Sequence, residues 1–175
     1  MQDNMTDTIN NTLQTKLQSL VSFLVQITRG FDTVAEEIDC SNLKMAMKAV
    51  AVESKQYAKE ITDQLRLLDI TVPSANQDQL WEWIETNVHE QAGFGKGSEI
   101  LALCNTCEIY FSKLYKEVLQ ESIPHKNFKA IIMYQLYAAE CAFNKIRLLN
   151  ALRFNWYKTT PAWVNGHWWK AKAHY

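Results

Sequence analysis

The chain has 175 residues and a formal net charge of −1, enough for one domain with a sizeable core. Hydrophobic residues make up 47% and charged residues 21%, the balance of a globular chain in water. Near-neutral charge excludes a global attraction to nucleic acid or anionic lipid, and no apolar run reaches the roughly 18 residues of a transmembrane helix.

The opening, MQDNMTDTINN, is polar and acidic. It lacks a basic segment ahead of an apolar one, so no secretory signal and a cytoplasmic location are expected. In that setting Cys40, Cys104, Cys107 and Cys141 are expected to be free thiols. Five glycines and three prolines leave long unbroken segments. The first predicted helix covers about 7–39 and carries Ile9, Leu13, Leu17, Leu20, Leu24, Ile27, Phe31, Val34 and Ile38. Steps of three and four residues are the period of one helix face.

Ser41 is the predicted N-cap of a second helix, about 42–69, with the stripe Leu43, Ala46, Val50, Tyr57, Ile61, Leu65 and Leu68. TVPSANQ breaks it. A short amphipathic helix is predicted at about 78–91 with Trp81, Ile84 and Val88. GFGKG stops that one, and Ser98 is the predicted cap of a third long helix, about 99–121. SIPHKN connects to a fourth, about 126–155, with Phe128, Ile132, Leu136, Ala139, Phe143, Ile146 and Leu149.

Four long amphipathic helices without strand-like alternation predict an all-α four-helix bundle. Half helical and half extended, the link 70–97 spans about 60 Å, against a bundle about 45 Å long. That link returns the chain to the opposite end, so the second and third helices run parallel in a ferritin-like topology with a long crossover containing a short helix. Residues 1–155 form the predicted bundle and 156–175 an aromatic-rich tail.

Four stretches also carry a family likeness: ITRGFDTVAEEI in the first helix, VESKQYAKEI in the second, LLDITVP at its end and CEIYFSKLYKEVL in the third. Together they resemble domain of unknown function 2383, a ferritin-like family of bacterial four-helix bundles. The resemblance covers about residues 15–153. It implies a ferritin-like fold and no particular activity. The crossover departs from the family, with WEWIETNVHE where a turn rich in Gly, His and Arg is expected, and the tail lies outside it.

A ferritin-like bundle directs attention to mid-helix carboxylates. Glu53 lies about 20 Å along the second helix from the first turn, and Glu108 and Glu140 lie about 24 Å from the turn at Pro124. The three are therefore level and are the candidate metal ligands. The rest of a di-iron set is missing. Ile27 stands at the same level on the first helix, and Gln56 and Phe143 stand where Glu-x-x-His wants histidines. His89, His125, His167 and His174 fall in links or tail. The expectation is no cofactor, with a layer of Glu53, Glu108, Gln56 and tyrosines joined by hydrogen bonds. Iron or another transition metal on Glu53, Glu108 and Glu140 is the alternative.

CNTCE puts Cys104 and Cys107 on one helix face, level with Cys141, so three thiols are predicted to share a level. Zinc wants a fourth ligand, and a redox pair wants a helix N-terminus. Both are absent, leaving buried cysteines that pack as small hydrophobes.

The tail, NWYKTTPAWVNGHWWKAKAHY, holds Trp156, Trp163, Trp168 and Trp169 among lysines. Such a segment grips a partner, lies in a membrane interface, stacks on single-stranded nucleic acid or folds back over apolar bundle surface. No phosphate loop, nucleophile elbow or zincin motif is present. The expected function is therefore non-catalytic, through association with a second copy or another protein, with the four tryptophans as the interaction residues and no nucleic acid as partner.

Overall fold

The computed structural model describes residues 3–68, 70, 82 and 96–159, with side chains described over 11–68, 70, 82 and 99–152. Four helices form a bundle: α1 Asp3–Glu36, α2 Ser41–Leu67, α3 Lys96–Leu119 and α4 Lys126–Thr159. Among the described residues there is no strand. No helix among them is long and apolar enough to cross a membrane.

The stripe on α1 is the inward face. Leu13, Leu17, Leu20, Leu24, Ile27, Phe31 and Ile38 are buried, and Val34 packs half-buried against them. Tightened bonds close the helix, Glu37 N–H to the Val34 carbonyl and Ile38 N–H to the Ala35 carbonyl. The cap of α2 differs from expectation. Cys40, extended at φ −74° and ψ 111°, is the N-cap, and its side chain makes no capping hydrogen bond. Its carbonyl accepts the Lys44 N–H at 2.8 Å. Ser41 is already the first helical residue, so its hydroxyl stands one position too late to cap.

At the other end of α2, the N–H groups of Leu68 and Ile70 both return to the Leu65 carbonyl. The helix expected at 78–91 lies outside the described residues except for Glu82, which is helical and exposed. α3 starts at Lys96, so Ser98 sits inside its first turn and is not the cap. α4 runs on past residue 155 to Thr159 and takes Trp156 into its last turn.

Named contacts fix the directions. The short turn makes α1 and α2 antiparallel. Lys16 on α1 pairs with Glu121 just beyond α3, while Phe23 packs on Tyr110 and Phe111, so α1 and α3 are antiparallel. Tyr115 meets Gln135, and Asn105 meets Arg147, so α3 and α4 are antiparallel. It follows that α2 and α3 run the same way. α1 packs on α2 and α3, and α4 packs on α2 and α3.

Rings fill the middle of the bundle. Phe111 stacks on Tyr115 at 4.4 Å between centroids and meets Phe143 edge-on at 6.0 Å, while Phe31 approaches Phe143 at 5.9 Å. Burying each such ring stabilises the fold by about 1.5–3 kcal/mol, and edge-to-face and offset geometry adds to that.

Candidate functional site

The level at which a carboxylate metal centre was the alternative reading holds a different arrangement. Glu53 is exposed. It lies about 60° of helix turn from Val50 by the helical period, and the neighbouring Ser54 is the residue that points inward, at 2% exposure. Glu108 is half-buried and forms an ion pair with Arg147. Arg147 also donates to Asn105 Oδ1 at 3.1 Å and Asn144 Oδ1 at 2.7 Å. Glu140 is half-buried on α4.

Phe143, at a position where histidine was wanted, is 1% exposed among the rings, and Ile27 is fully buried. Among the described residues, no three His, Cys, Asp or Glu side chains gather as a group able to hold a metal ion. The residues present do not fit a dinuclear carboxylate centre, because rings fill the space and Glu108 is committed to a guanidinium.

A polar chain does cross the bundle, with partly different members from those expected. The Tyr115 hydroxyl donates to Gln135 Oε1 at 2.9 Å, and Gln135 Nε2 donates to Glu60 Oε2 at 2.8 Å. Gln56 Nε2 then donates to Glu60 Oε1 at 2.9 Å. The chain starts in the core and ends on the surface between α2 and α4. Burial holds Tyr115 well above its ordinary pKa, with Tyr57 and Glu60 adding to the rise. Tyr57 is raised too, by burial and then by the nearby Glu53 carboxylate. Both phenols therefore remain protonated.

Glu53 and Glu108 take no part in this chain, while Gln56 and a tyrosine do. The expected layer omitted Gln135 and Glu60. The signal for Gln135 was present: with Ile132, Leu136 and Ala139 it completes an i, i+3, i+4, i+7 arc, so it is a polar residue on the inward face. Two other inward oxygens, Gln26 Oε1 and Thr106 Oγ1, are buried without a hydrogen-bond partner among the described residues.

The thiols do not converge. Cys104 and Cys107 are buried, Cys40 is half-buried and Cys141 is exposed. Burial pushes Cys104 up to about 12, opposed by the Arg147 charge, and pushes Cys107 well above its ordinary value, with Cys104 adding. Cys141 is on the other side of α4, because it lies only two residues from the inward Ala139 and Phe143, about 200° of helix turn from each.

Cys141 opens instead into a groove of about 520 Å³ between α2 and α4. Small residues line it: Ala46 and Ala49 from α2, and Ala138, Cys141 and Ala142 from α4. Glu53, Gln56 and Glu60 form one wall, with Tyr134 and Lys145 on the other. Large apolar side chains stand exposed on the same two helices: Met45 and Val52 on α2, and Tyr134, Tyr137, Leu148 and Leu152 on α4. Tyr134, Cys141 and Leu148 recur every seven residues, so they form one outward stripe. No histidine lines the groove among the described residues.

Of the four candidate interaction residues, Trp156 is helical in α4, though its side chain is not among those described. Trp163, Trp168 and Trp169 lie outside the described residues. Compared with protein-family models, with curated proteins and with solved structures, the chain matches none.

Proposed function

We propose that this protein is a non-catalytic, ferritin-like helical bundle, of the kind that domain of unknown function 2383 comprises, acting through association with a second copy or with a protein partner. The observation that carries this reading is the α2–α4 face. Tyr134 stands exposed at a groove with a small-residue floor, and further large apolar residues, among them Leu148 and Leu152, stand exposed on the two helices that form it. Exposed apolar surface of that kind is the mark of an interaction site. An aromatic and aliphatic ridge beside alanines is how one helix receives another segment. The tail tryptophans Trp156, Trp163, Trp168 and Trp169 add the residue type that dominates interface energetics.

The parallel run of α2 and α3 supports the ferritin-like part. Antiparallel neighbours need only a short turn, whereas a parallel pair needs a connection as long as the bundle, and residues 68–95 are long enough. An iron-binding role has weaker support, since Glu53 is exposed, Glu108 is ion-paired and Phe143 fills the histidine position.

Sedimentation and pull-down on the full chain test the reading. Tyr134→Asp with Leu148→Asp is expected to leave helical content unchanged and to abolish whatever association the wild-type chain shows. A wild-type chain that neither self-associates nor retains a protein partner lost by this variant would overturn it.

A further inference from the structure

We propose that the occupant of the α2–α4 groove is the chain's own C-terminal segment, residues 160–175, docked back along α4 of the same molecule. This rests on reading that face as an association surface and names what first covers it.

Three observations lead there. The first is position and length. α4 ends at Thr159, and Pro161 lacks the N–H needed to extend a helix onward. From Thr159 back to Tyr134 is about 38 Å along the helix axis, while the segment 160–175 reaches about 53 Å when extended. The segment therefore covers the whole groove with length to spare for the reversal.

The second is charge. After Glu140 the chain contains no Asp or Glu, and the segment carries Lys170 and Lys172. The α2 wall of the groove carries Glu53 and Glu60. Run back from Thr159 at about 3.3 Å per residue, Lys170 and Lys172 arrive about 36–43 Å down α4. Gln135, the partner of Glu60, lies about 36 Å down by the helix rise. Lys170 thus comes level with the Glu60 carboxylate, and Lys172 lies about 7 Å beyond it.

The third is shape. Ala46, Ala49, Ala138 and Ala142 leave volume beside the exposed Leu148 and Leu152. Trp163, Trp168 and Trp169 pass over this stretch on the way. Indole rings fill such a space with large buried area and few frozen torsions. Tethering favours the same molecule's segment over a second copy's, because the short link gives a high effective concentration.

Cys141 in the groove is the reporter, used in the full chain with Cys40→Ser. His167→Cys, and separately Gly166→Cys to sample the adjoining register, is oxidised at low protein concentration. Docking brings one of them within disulfide reach of Cys141. An intrachain disulfide is expected, absent when Cys141→Ser is added. In the chain without an added cysteine, Trp168→Ala with Trp169→Ala is expected to speed modification of Cys141 by Ellman's reagent about tenfold, since the reagent reads the undocked fraction.

An interchain disulfide alone would overturn docking within one molecule and point to tail exchange between copies. No disulfide at either position, with equal Cys141 rates, would overturn the proposal outright. The association reading would then stand or fall separately on Tyr134→Asp with Leu148→Asp.

Discussion

Tyr115, Gln135 and Glu60 form a hydrogen-bonded chain that begins among the rings and ends at the groove. Gln135 is fully buried, and it serves one neighbour as acceptor and the other as donor. Gln135→Leu keeps similar bulk but leaves the buried Tyr115 hydroxyl with no acceptor. The expected loss is about 1–3 kcal/mol, the cost of an unsatisfied buried polar group. It should show as a lower urea midpoint with an unchanged slope. Adding Tyr115→Phe removes the orphaned hydroxyl and should restore part of the loss. An undiminished midpoint in the single variant would show that the chain contributes nothing to stability. At the same scale, Glu53 and Ser54 differ by one position, and that position separates a groove wall from the core.

The α1–α2 hairpin is the element with the clearest electrostatic tie. Glu36, at the end of α1, pairs with Lys44 at 2.9 Å and with Lys48, both on α2. Hydrogen bonds and charge from Lys48 and Lys44 lower its carboxyl from 4.5 to about 2. A carboxylate whose pKa is depressed by folding contributes stability that is present above its unfolded pKa. That contribution is lost as pH falls from about 4.5 to about 2. Glu36→Gln is therefore expected to flatten the acid limb of stability against pH in that window and to leave the limb above it parallel to wild type. Chemical unfolding at a series of pH values measures this, and salt should diminish the effect because the pair is exposed. The start of α2 offers a second handle. Cys40 has the extended backbone of an N-cap but no capping bond. Cys40→Ser supplies the missing acceptor and is expected to raise stability by about 1 kcal/mol, seen as a higher thermal midpoint.

For the whole molecule, the packing at mid-bundle decides what chemistry the fold supports. Phe31, Phe111 and Phe143 meet there, and Glu108 is turned to Arg147 at the α3–α4 seam. Metal affinity needs several ligands converging on one point. The purified protein, prepared without chelators, is expected to carry no stoichiometric iron or zinc by elemental analysis. One or two bound ions per chain would show that the carboxylates regroup around metal. The α2–α4 face carries polar and apolar surface together around the groove, and the proposed association rests on that face.

Periodicity alone was enough to place the four long helices among the described residues and their inward faces. A stripe such as Leu13–Leu17–Leu20–Leu24–Ile27–Phe31 has one way to leave water on a helix, and all six residues are buried. Helix ends were legible to within a few residues; the cap at Cys40 was missed because Ser41 is the better capping residue in isolation. The site was another matter. Rise along a helix can be counted from sequence, so the rough level of Glu53, Glu108 and Glu140 was accessible. Azimuth is decided when four helices rotate to bury their largest side chains together, and a shift of one residue is about 100°. That rotation put Ser54 inward and Glu53 out, gave Glu108 to Arg147, and turned Cys141 away from Cys104 and Cys107. It also joined Tyr115, Gln135 and Glu60, whose partners are 20 and 75 residues apart in the chain, a pairing that exists only once the helices have chosen their neighbours.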